Sequence, residues 1–155
     1  MTLTANIKNL YGGEALKKVQ DLVEAENVCL FASNLSQAQT TVRPMSTLKI
    51  DEAGNMWFFT AKNSQKNKNI QADPAVQLLY SNHSCSEYLS IYGKAEVITD
   101  KDVIKTFLNT LSKTWFQDGI SGMEICLIKV TPEKALLGQK PPQNDLQAKN
   151  GIRFN

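Results

Sequence analysis

The stretch TTVRPMSTLKIDEAGNMWFFT, residues 40–60, predicts a β-hairpin and decides the fold class. Residues 40–50 fit one strand, and residues 56–60 have high β propensity because they are rich in aromatic side chains. Between them, residues 51–55 supply the turn side chains, including a glycine, that tolerate a positive φ. We therefore expect the two strands to pair antiparallel across this turn.

Upstream of the hairpin the sequence predicts one helix and one further strand. Residues 14–26 form an amphipathic helix, because apolar side chains recur at helical spacing: Leu16, Val19, Leu22 and Val23. Residues 28–32 fit a short strand, and the polar residues 34–39 connect it to the hairpin. This strand is expected to pair with the next one along the chain.

Downstream the pattern alternates strands with two more helices. In order they are a helix over 66–72 that ends at Asp73-Pro74, strands over 76–81 and 88–98, a helix that starts at 99–102, and a last strand over 125–130 that continues to about 137. Hairpin connections of this kind predict an α+β, mainly β antiparallel domain, and closing its sheet into a barrel would remove exposed edges. We expect one domain over residues 1–140 and a flexible tail over 141–155.

Composition excludes several classes of function. The 155 residues suit a single core, and 17 basic against 15 acidic residues leave a net charge of +2 without the basic stripe typical of nucleic-acid binding. No apolar segment is long enough to cross a bilayer and the N-terminus has no signal-peptide pattern, so we expect a soluble, cytoplasmic protein with no membrane partner.

The cysteines and the single histidine carry no clear chemistry. Cys29, Cys85 and Cys126 are widely spaced and odd in number, which predicts neither a disulfide framework nor a zinc site, and the first and last lie in apolar runs typical of inert buried thiols. His83 lies in a turn-like linker, which argues against a histidine-rich metal centre. Neither a Rossmann glycine motif nor a P-loop occurs.

A candidate phosphate cradle follows the second strand of the hairpin. Thr60, Ser64 and Lys66 would bring two hydroxyls and an ammonium to the start of a short helix, a setting that suits a phosphomonoester. Arg43, in the preceding strand, would add a planar guanidinium. From composition alone, Lys62, Lys66 and Lys68 are better explained as an ordinary solvated basic face, because loop lysines are mostly exposed.

Several short motifs, in this order and spacing, resemble the pyridoxamine-phosphate-oxidase-like FMN-binding split barrels, in particular the general stress protein subgroup. The motifs are RPM at 43–45, WFFT at 57–60, SQK at 64–66 before DP at 73–74, YGKAE at 92–96, WF at 115–116 and DG at 118–119. The resemblance covers roughly residues 13–130. It implies a six-stranded antiparallel split β-barrel that forms a homodimer, with one FMN in each of two clefts at the subunit interface.

The resemblance also implies a set of cofactor-binding residues, with no catalytic residue and no metal ligand. They are Arg43, Pro44, Met45 and Ser46 along the flavin edge, Phe59 and Thr60 beside the ribityl phosphate, Ser64 and Lys66 in the phosphate loop, and Trp115. In the family an aromatic residue at the position of Trp115 contacts the isoalloxazine from the partner subunit. From the pattern alone, a Trp-Phe pair after an amphipathic helix is more often part of the core.

Two positions depart from the family pattern. Gln65 stands where many members have a second phosphate-binding arginine, which would weaken phosphate binding by roughly 1 to 3 kcal/mol. Residues 141–155 do not reproduce the substrate-binding segment, with its tryptophan and arginine, in which true pyridoxamine phosphate oxidases resemble one another. The expected function is therefore an FMN-dependent oxidoreductase with an unknown small-molecule substrate. The alternative function is a non-catalytic flavin carrier, sensor or buffer. A third possibility is that the cleft holds a different cofactor or is empty.

Overall fold

The computed structural model describes residues 12–82, 84, 86–110 and 124–139. Within them it contains three helices and seven strands: α1 (Gly12–Ala25), β1 (Val28–Ser33), β2 (Thr41–Ser46), β3 (Lys49–Ile50), β4 (Met56–Ala61), α2 (Gln65–Ala72), β5 (Ala75–Asn82), β6 (Glu87–Ile98), α3 (Lys101–Thr110) and β7 (Ile125–Gln139). The predicted helices and the β1–β2 and β5–β6 hairpins are confirmed, whereas only Lys49 and Ile50 of the predicted strand over 40–50 pair with β4 across the turn. Trp115, His83, Cys85 and the predicted tail over 141–155 lie outside the described residues.

All seven strands form one antiparallel sheet in the order β2-β1-β5-β6-β7-β4-β3. The chain between residues 41 and 50 therefore supplies both edges of the sheet, β2 at one and β3 at the other. At the bend, the Thr47 N–H donates to the Asn27 carbonyl and the Leu48 N–H donates to the Trp57 carbonyl, each at 2.8 Å. The sheet curls into a half-barrel, as a split barrel requires.

The expectation of six strands is wrong, because the predicted strand over residues 40–50 breaks in two. It pairs with β1 as far as Ser46 and with β4 from Lys49 onward. Two residues at the bend, Thr47 and Leu48, pass the chain from one partner to the other. A strand that changes partner must bend away from the first one, which gives seven strands in the described part of the chain.

The last strand runs without interruption from Ile125 to Gln139, although it contains Pro132. A register shift between Tyr92 and Gly93 in β6 accommodates the proline, which cannot donate a ladder hydrogen bond. A Cβ atom on Gly93 would collide with the Thr131 carbonyl oxygen, so this close approach of the two strands requires glycine.

The core lies on the concave face of the sheet and is closed by α1. Side chains from five strands fill it, with Phe31 and Phe58 in edge-to-face contact at 5.5 Å between ring centroids. From α1, Leu22 and Val23 are buried against this cluster. Each fully buried side chain of this size contributes about 1.5 to 3 kcal/mol, so the core holds the half-barrel in shape.

The buried thiols belong to this core. Cys29 and Cys126 are free and buried, as predicted. Burial raises the pKa of Cys29 to about 11, above its ordinary value, which keeps it protonated and unreactive at neutral pH. Burial likewise raises the pKa of Tyr80, whose hydroxyl forms a 2.5 Å hydrogen bond with Thr47 at the bend.

The convex face of β1, β2 and β5 exposes an apolar patch. Its members are Val28, Leu30, Val42 and Leu79, each 42 to 51% exposed. The register places Leu30 directly opposite both Pro44 and Leu79, so the patch is continuous across three neighbouring strands. Large apolar side chains side by side on a sheet face are typical of a surface that another protein covers.

Candidate functional site

The predicted phosphate loop connects β4 to α2 and is held in shape by its own hydrogen bonds. Ser64 is the N-cap of α2, and its hydroxyl oxygen accepts the Asn67 N–H at 3.2 Å. Thr60 is buried and its hydroxyl lies 3.1 Å from that of Ser64. The Ser64 carbonyl also accepts the Lys68 N–H, so the N–H groups of Gln65 and Lys66 are the ones left at the start of α2 to bind an anion.

Asn67 fixes this loop and was not identified from the sequence. It is 3% exposed, its amide donates to the carbonyls of Ala61 at 3.0 Å and Lys62 at 3.1 Å, and its Oδ1 accepts from Thr60 Oγ1 at 2.9 Å. The only signal in the sequence was an asparagine, a poor helix former, in the first turns of a predicted helix. Asn67 is a positioning residue for the loop.

Two cations face the site without a counter-ion: Lys66, which is buried, and Arg43, which is half-buried. Lys66 is 8% exposed, and loss of water lowers its pKa to about 8, with the Arg43 guanidinium adding a smaller repulsion. Burial also lowers the pKa of Arg43, and its buried Nη1 has no hydrogen-bond partner. No acidic side chain of the described residues forms an ion pair with either group. A buried ammonium beside a half-buried guanidinium, with no counter-ion for either, is unfavourable and favours a bound anion.

The neighbouring lysines differ from Lys66. Lys62 is exposed and forms a 3.0 Å ion pair with Glu124, and the hydrogen bond to that carboxylate raises the pKa of Lys62. Lys68 is exposed on the outer side of α2. The alternative of a solvated basic face therefore holds for Lys62 and Lys68 but not for Lys66.

The remaining predicted residues are distributed over both faces of the sheet. Met45 is half-buried on the same face of β2 as Arg43, whereas Pro44 and Ser46 alternate to the opposite face, where Pro44 is exposed. Phe59 is half-buried on the face of β4 opposite Thr60. The prediction for Trp115 falls outside the described residues.

Gln65, which replaces the family's second arginine, does not extend the cradle. Its side chain is exposed, and its amide donates to Asn69 Oδ1 at 3.2 Å along the helix. The positive charge of the cradle is therefore limited to Arg43 and Lys66.

These groups fit a phosphomonoester dianion. Arg43 offers unpaired N–H groups in a planar fork, Lys66 offers an ammonium, and Ser64 and the first N–H groups of α2 offer neutral donors. In the described part of the chain no cluster of three histidine, cysteine or acidic side chains is placed to hold a metal ion. No described helix is long and apolar enough to cross a membrane.

The fold and the cradle define a mainly β half-barrel protein with a candidate anion-binding site. The family model described as pyridoxamine 5'-phosphate oxidase like matches residues 14–147, and the chain belongs to this family. Protein bli-3 of Neurospora crassa is 27% identical over 64 residues, which are 41% of this chain and 31% of that protein. The chain thus matches about a third of the length of this relative.

Solved structures share the fold and include the general stress protein subgroup. A Listeria innocua protein described as a pyridoxamine 5'-phosphate oxidase is 25% identical, with a TM-score of 0.65 over 79% of this chain and 96% of that chain. A Clostridium acetobutylicum relative of general stress protein 26 is 16% identical, with a TM-score of 0.69 over 83% and 91%. A Nostoc punctiforme protein described as FMN binding is 17% identical, with a TM-score of 0.57 over 79% and 78%.

Proposed function

We propose that the chain binds FMN, with the cofactor phosphate in the cradle of Arg43, Ser64 and Lys66, and acts as an FMN-dependent oxidoreductase on a small-molecule substrate. The observation that carries the proposal is the buried Lys66 in the first turn of α2 together with the unpartnered, buried Nη1 of the half-buried Arg43 in β2. A phosphate dianion compensates both charges and uses the free donors of the loop. The FMN-binding description of the Nostoc relative supports the same cofactor.

The chain's own residues bind and orient the cofactor in this proposal. Arg43 and Lys66 hold the phosphate, Asn67 keeps the loop in place, and Met45 lies farther along the same face of β2, where the flavin ring would extend. FMN itself supplies the electron transfer, and the protein supplies position and electrostatics. No described acid or base is assigned a role in that chemistry.

We further propose that two copies form a homodimer with a cofactor cleft at their interface and with Trp115 contributed by the partner. The exposed apolar patch, on the face of the sheet opposite Arg43 and Met45, would form a separate part of the same contact. The support is the continuous exposed surface of Val28, Leu30, Val42 and Leu79. Leu79→Lys should convert a dimer to a monomer in analytical ultracentrifugation, because it buries a charge in the contact. Ala53→Lys, in the exposed β3–β4 turn, is the matched control. A wild-type chain that sediments as a monomer contradicts the dimer.

The oxidoreductase proposal is tested by anaerobic titration of the FMN-loaded protein with reduced nicotinamides. Loss of the yellow flavin absorbance, followed by its return on admission of an electron acceptor, is the expected result. A bound flavin that is inert to these and other two-electron donors would contradict the oxidoreductase proposal and favour the carrier. Arg43→Gln, which removes one phosphate contact, should release the flavin and serves as the control for a specific site.

A further inference from the structure

Lys66 combines a buried amine with a neighbouring anion anchor. Its side chain is buried beside the Arg43 guanidinium, whose Nη1 has no partner, and no described carboxylate holds it in the charged form. We propose that, when no flavin occupies the cradle, Lys66 is an acylation site that takes the acyl group from small acyl phosphates. The proposal uses the anion cradle of the proposed function but requires no flavin.

The first requirement is a neutral amine, because only the unprotonated nitrogen is nucleophilic. Burial lowers the pKa of Lys66 to about 8, so about a tenth of the molecules carry the neutral amine at pH 7. An ordinary exposed lysine, with a pKa of about 10.4, is neutral in only about 0.04% of molecules. Before a donor binds, the burial of Lys66 thus makes the neutral amine much more frequent than in an exposed lysine.

The second requirement is an anchor that holds the acyl donor against this nitrogen. In an acyl phosphate a single oxygen joins the phosphorus to the electrophilic carbonyl carbon. A phosphate bound by Arg43, Ser64 and the first N–H groups of α2 would place that carbon in the vicinity of the Lys66 amine. Holding two reactants together in this way raises their effective concentration strongly.

The step balances without a redox partner. The Lys66 nitrogen attacks the carbonyl carbon, a C–N bond forms, and the C–O bond to the phosphate breaks. Inorganic phosphate leaves with the bonding electron pair, and the nitrogen loses its proton to water. Arg43 stabilises the leaving phosphate with the same contacts that bound the donor.

The product has a direct consequence for the site. An amide at Lys66 carries no charge, so acylation removes one of the two cations of the cradle. The modified protein should bind a phosphate-bearing cofactor more weakly, and a cofactor bound first should protect Lys66. The fraction of protein without cofactor would then rise with the concentration of acyl phosphates.

Two neighbouring lysines provide internal controls. Lys62 is exposed and is kept protonated by its ion pair with Glu124. Lys68 is exposed on the same helix, two residues from Lys66. If solvent access alone set the acylation rate, Lys62 and Lys68 would react faster than Lys66. Faster acylation of Lys66 would therefore depend on the cradle.

The experiment treats the full-length protein, freed of flavin, with acetyl phosphate at pH 7. Acetylation rates at Lys66, Lys62 and Lys68 are measured by peptide mass spectrometry after digestion with a protease that does not cleave at lysine. Lys66 should react at least tenfold faster than Lys68. Arg43→Gln, and separately millimolar inorganic phosphate on the wild type, should slow Lys66 about tenfold and leave Lys68 unchanged.

Equal rates at Lys66 and Lys68, or a Lys66 rate that responds to neither phosphate nor Arg43→Gln, would overturn the proposal. The phosphate competition uses the wild-type chain, so it decides the question even if the variant does not fold. FMN is added in a separate arm. Protection by phosphate without protection by FMN would support the acylation site and contradict the flavin proposal.

Discussion

Replacement of Lys66 by methionine should strengthen the fold and weaken cofactor binding at the same time. The fall of the Lys66 pKa from 10.5 to about 8 corresponds to about 3 kcal/mol of unfavourable free energy at neutral pH, at about 1.4 kcal/mol per pKa unit. Methionine has a similar volume and no charge, so Lys66→Met should raise the free energy of unfolding by about 1 to 3 kcal/mol. The same change removes a charge-assisted phosphate contact and should weaken FMN binding by about 2 kcal/mol, roughly 30-fold.

Urea denaturation of the cofactor-free protein measures the first effect, and fluorescence titration with FMN measures the second. Lys68→Met is the matched control, because Lys68 lies exposed on the same helix and should change neither quantity by more than about 0.5 kcal/mol. A Lys66→Met protein that is less stable than wild type and binds FMN with unchanged affinity would refute the reasoning. That result would mean that the ammonium already has a compensating partner in the cofactor-free protein.

Three further predictions concern Lys66, Asn67 and Ser33. Because the pKa of Lys66 is lowered in the folded protein, the unfolded chain binds more protons between pH 8 and 10.5. Wild-type stability relative to Lys66→Met should therefore rise across this range, as equilibrium unfolding at stepped pH would show. Wild-type FMN affinity should fall above about pH 8, as FMN titration at stepped pH would show. The carboxylate side chain that Asn67→Asp introduces cannot donate to the two carbonyls that Asn67 binds. The substitution should therefore lower the free energy of unfolding by about 3 kcal/mol and weaken FMN binding. Wild-type values in both urea denaturation and FMN titration would show that Asn67 does not position the loop. Ser33→Ala removes a buried hydroxyl that has no partner and should stabilise the protein by up to about 1 kcal/mol in urea denaturation, whereas a loss above that amount would reveal a hidden partner.

The local features of the fold could be predicted from the sequence because their signals are local. The turn at residues 51–55 is formed as expected, with Gly54 at φ 89° and the Asp51 carboxylate accepting hydrogen bonds from the Asn55 N–H and Trp57 Nε1. The break at Thr47 could not be predicted, because no glycine or proline marks it. It depends on which distant strands accept the chain on either side.

In the candidate site as well, features with a local sequence signal could be predicted and features that depend on tertiary packing could not. Period-two alternation along β2 was sufficient to foresee that Arg43 and Pro44 point to opposite faces, although the family resemblance had grouped them. The sequence did not indicate that Lys66 is buried while Lys62 and Lys68 are exposed. Composition carries no information about which side of a polar helix packs against the sheet. Ile70, one turn beyond Lys66 and buried with it, was the only indication.

The central claim, that the cradle holds the phosphate of FMN, is tested most directly by isothermal titration of the purified wild-type protein with FMN and with riboflavin, which has the same ring and no phosphate. The account predicts saturable binding of FMN that is at least 30-fold tighter than that of riboflavin, and competition by inorganic phosphate. Equal affinity for the two ligands, or no binding of either, would contradict it.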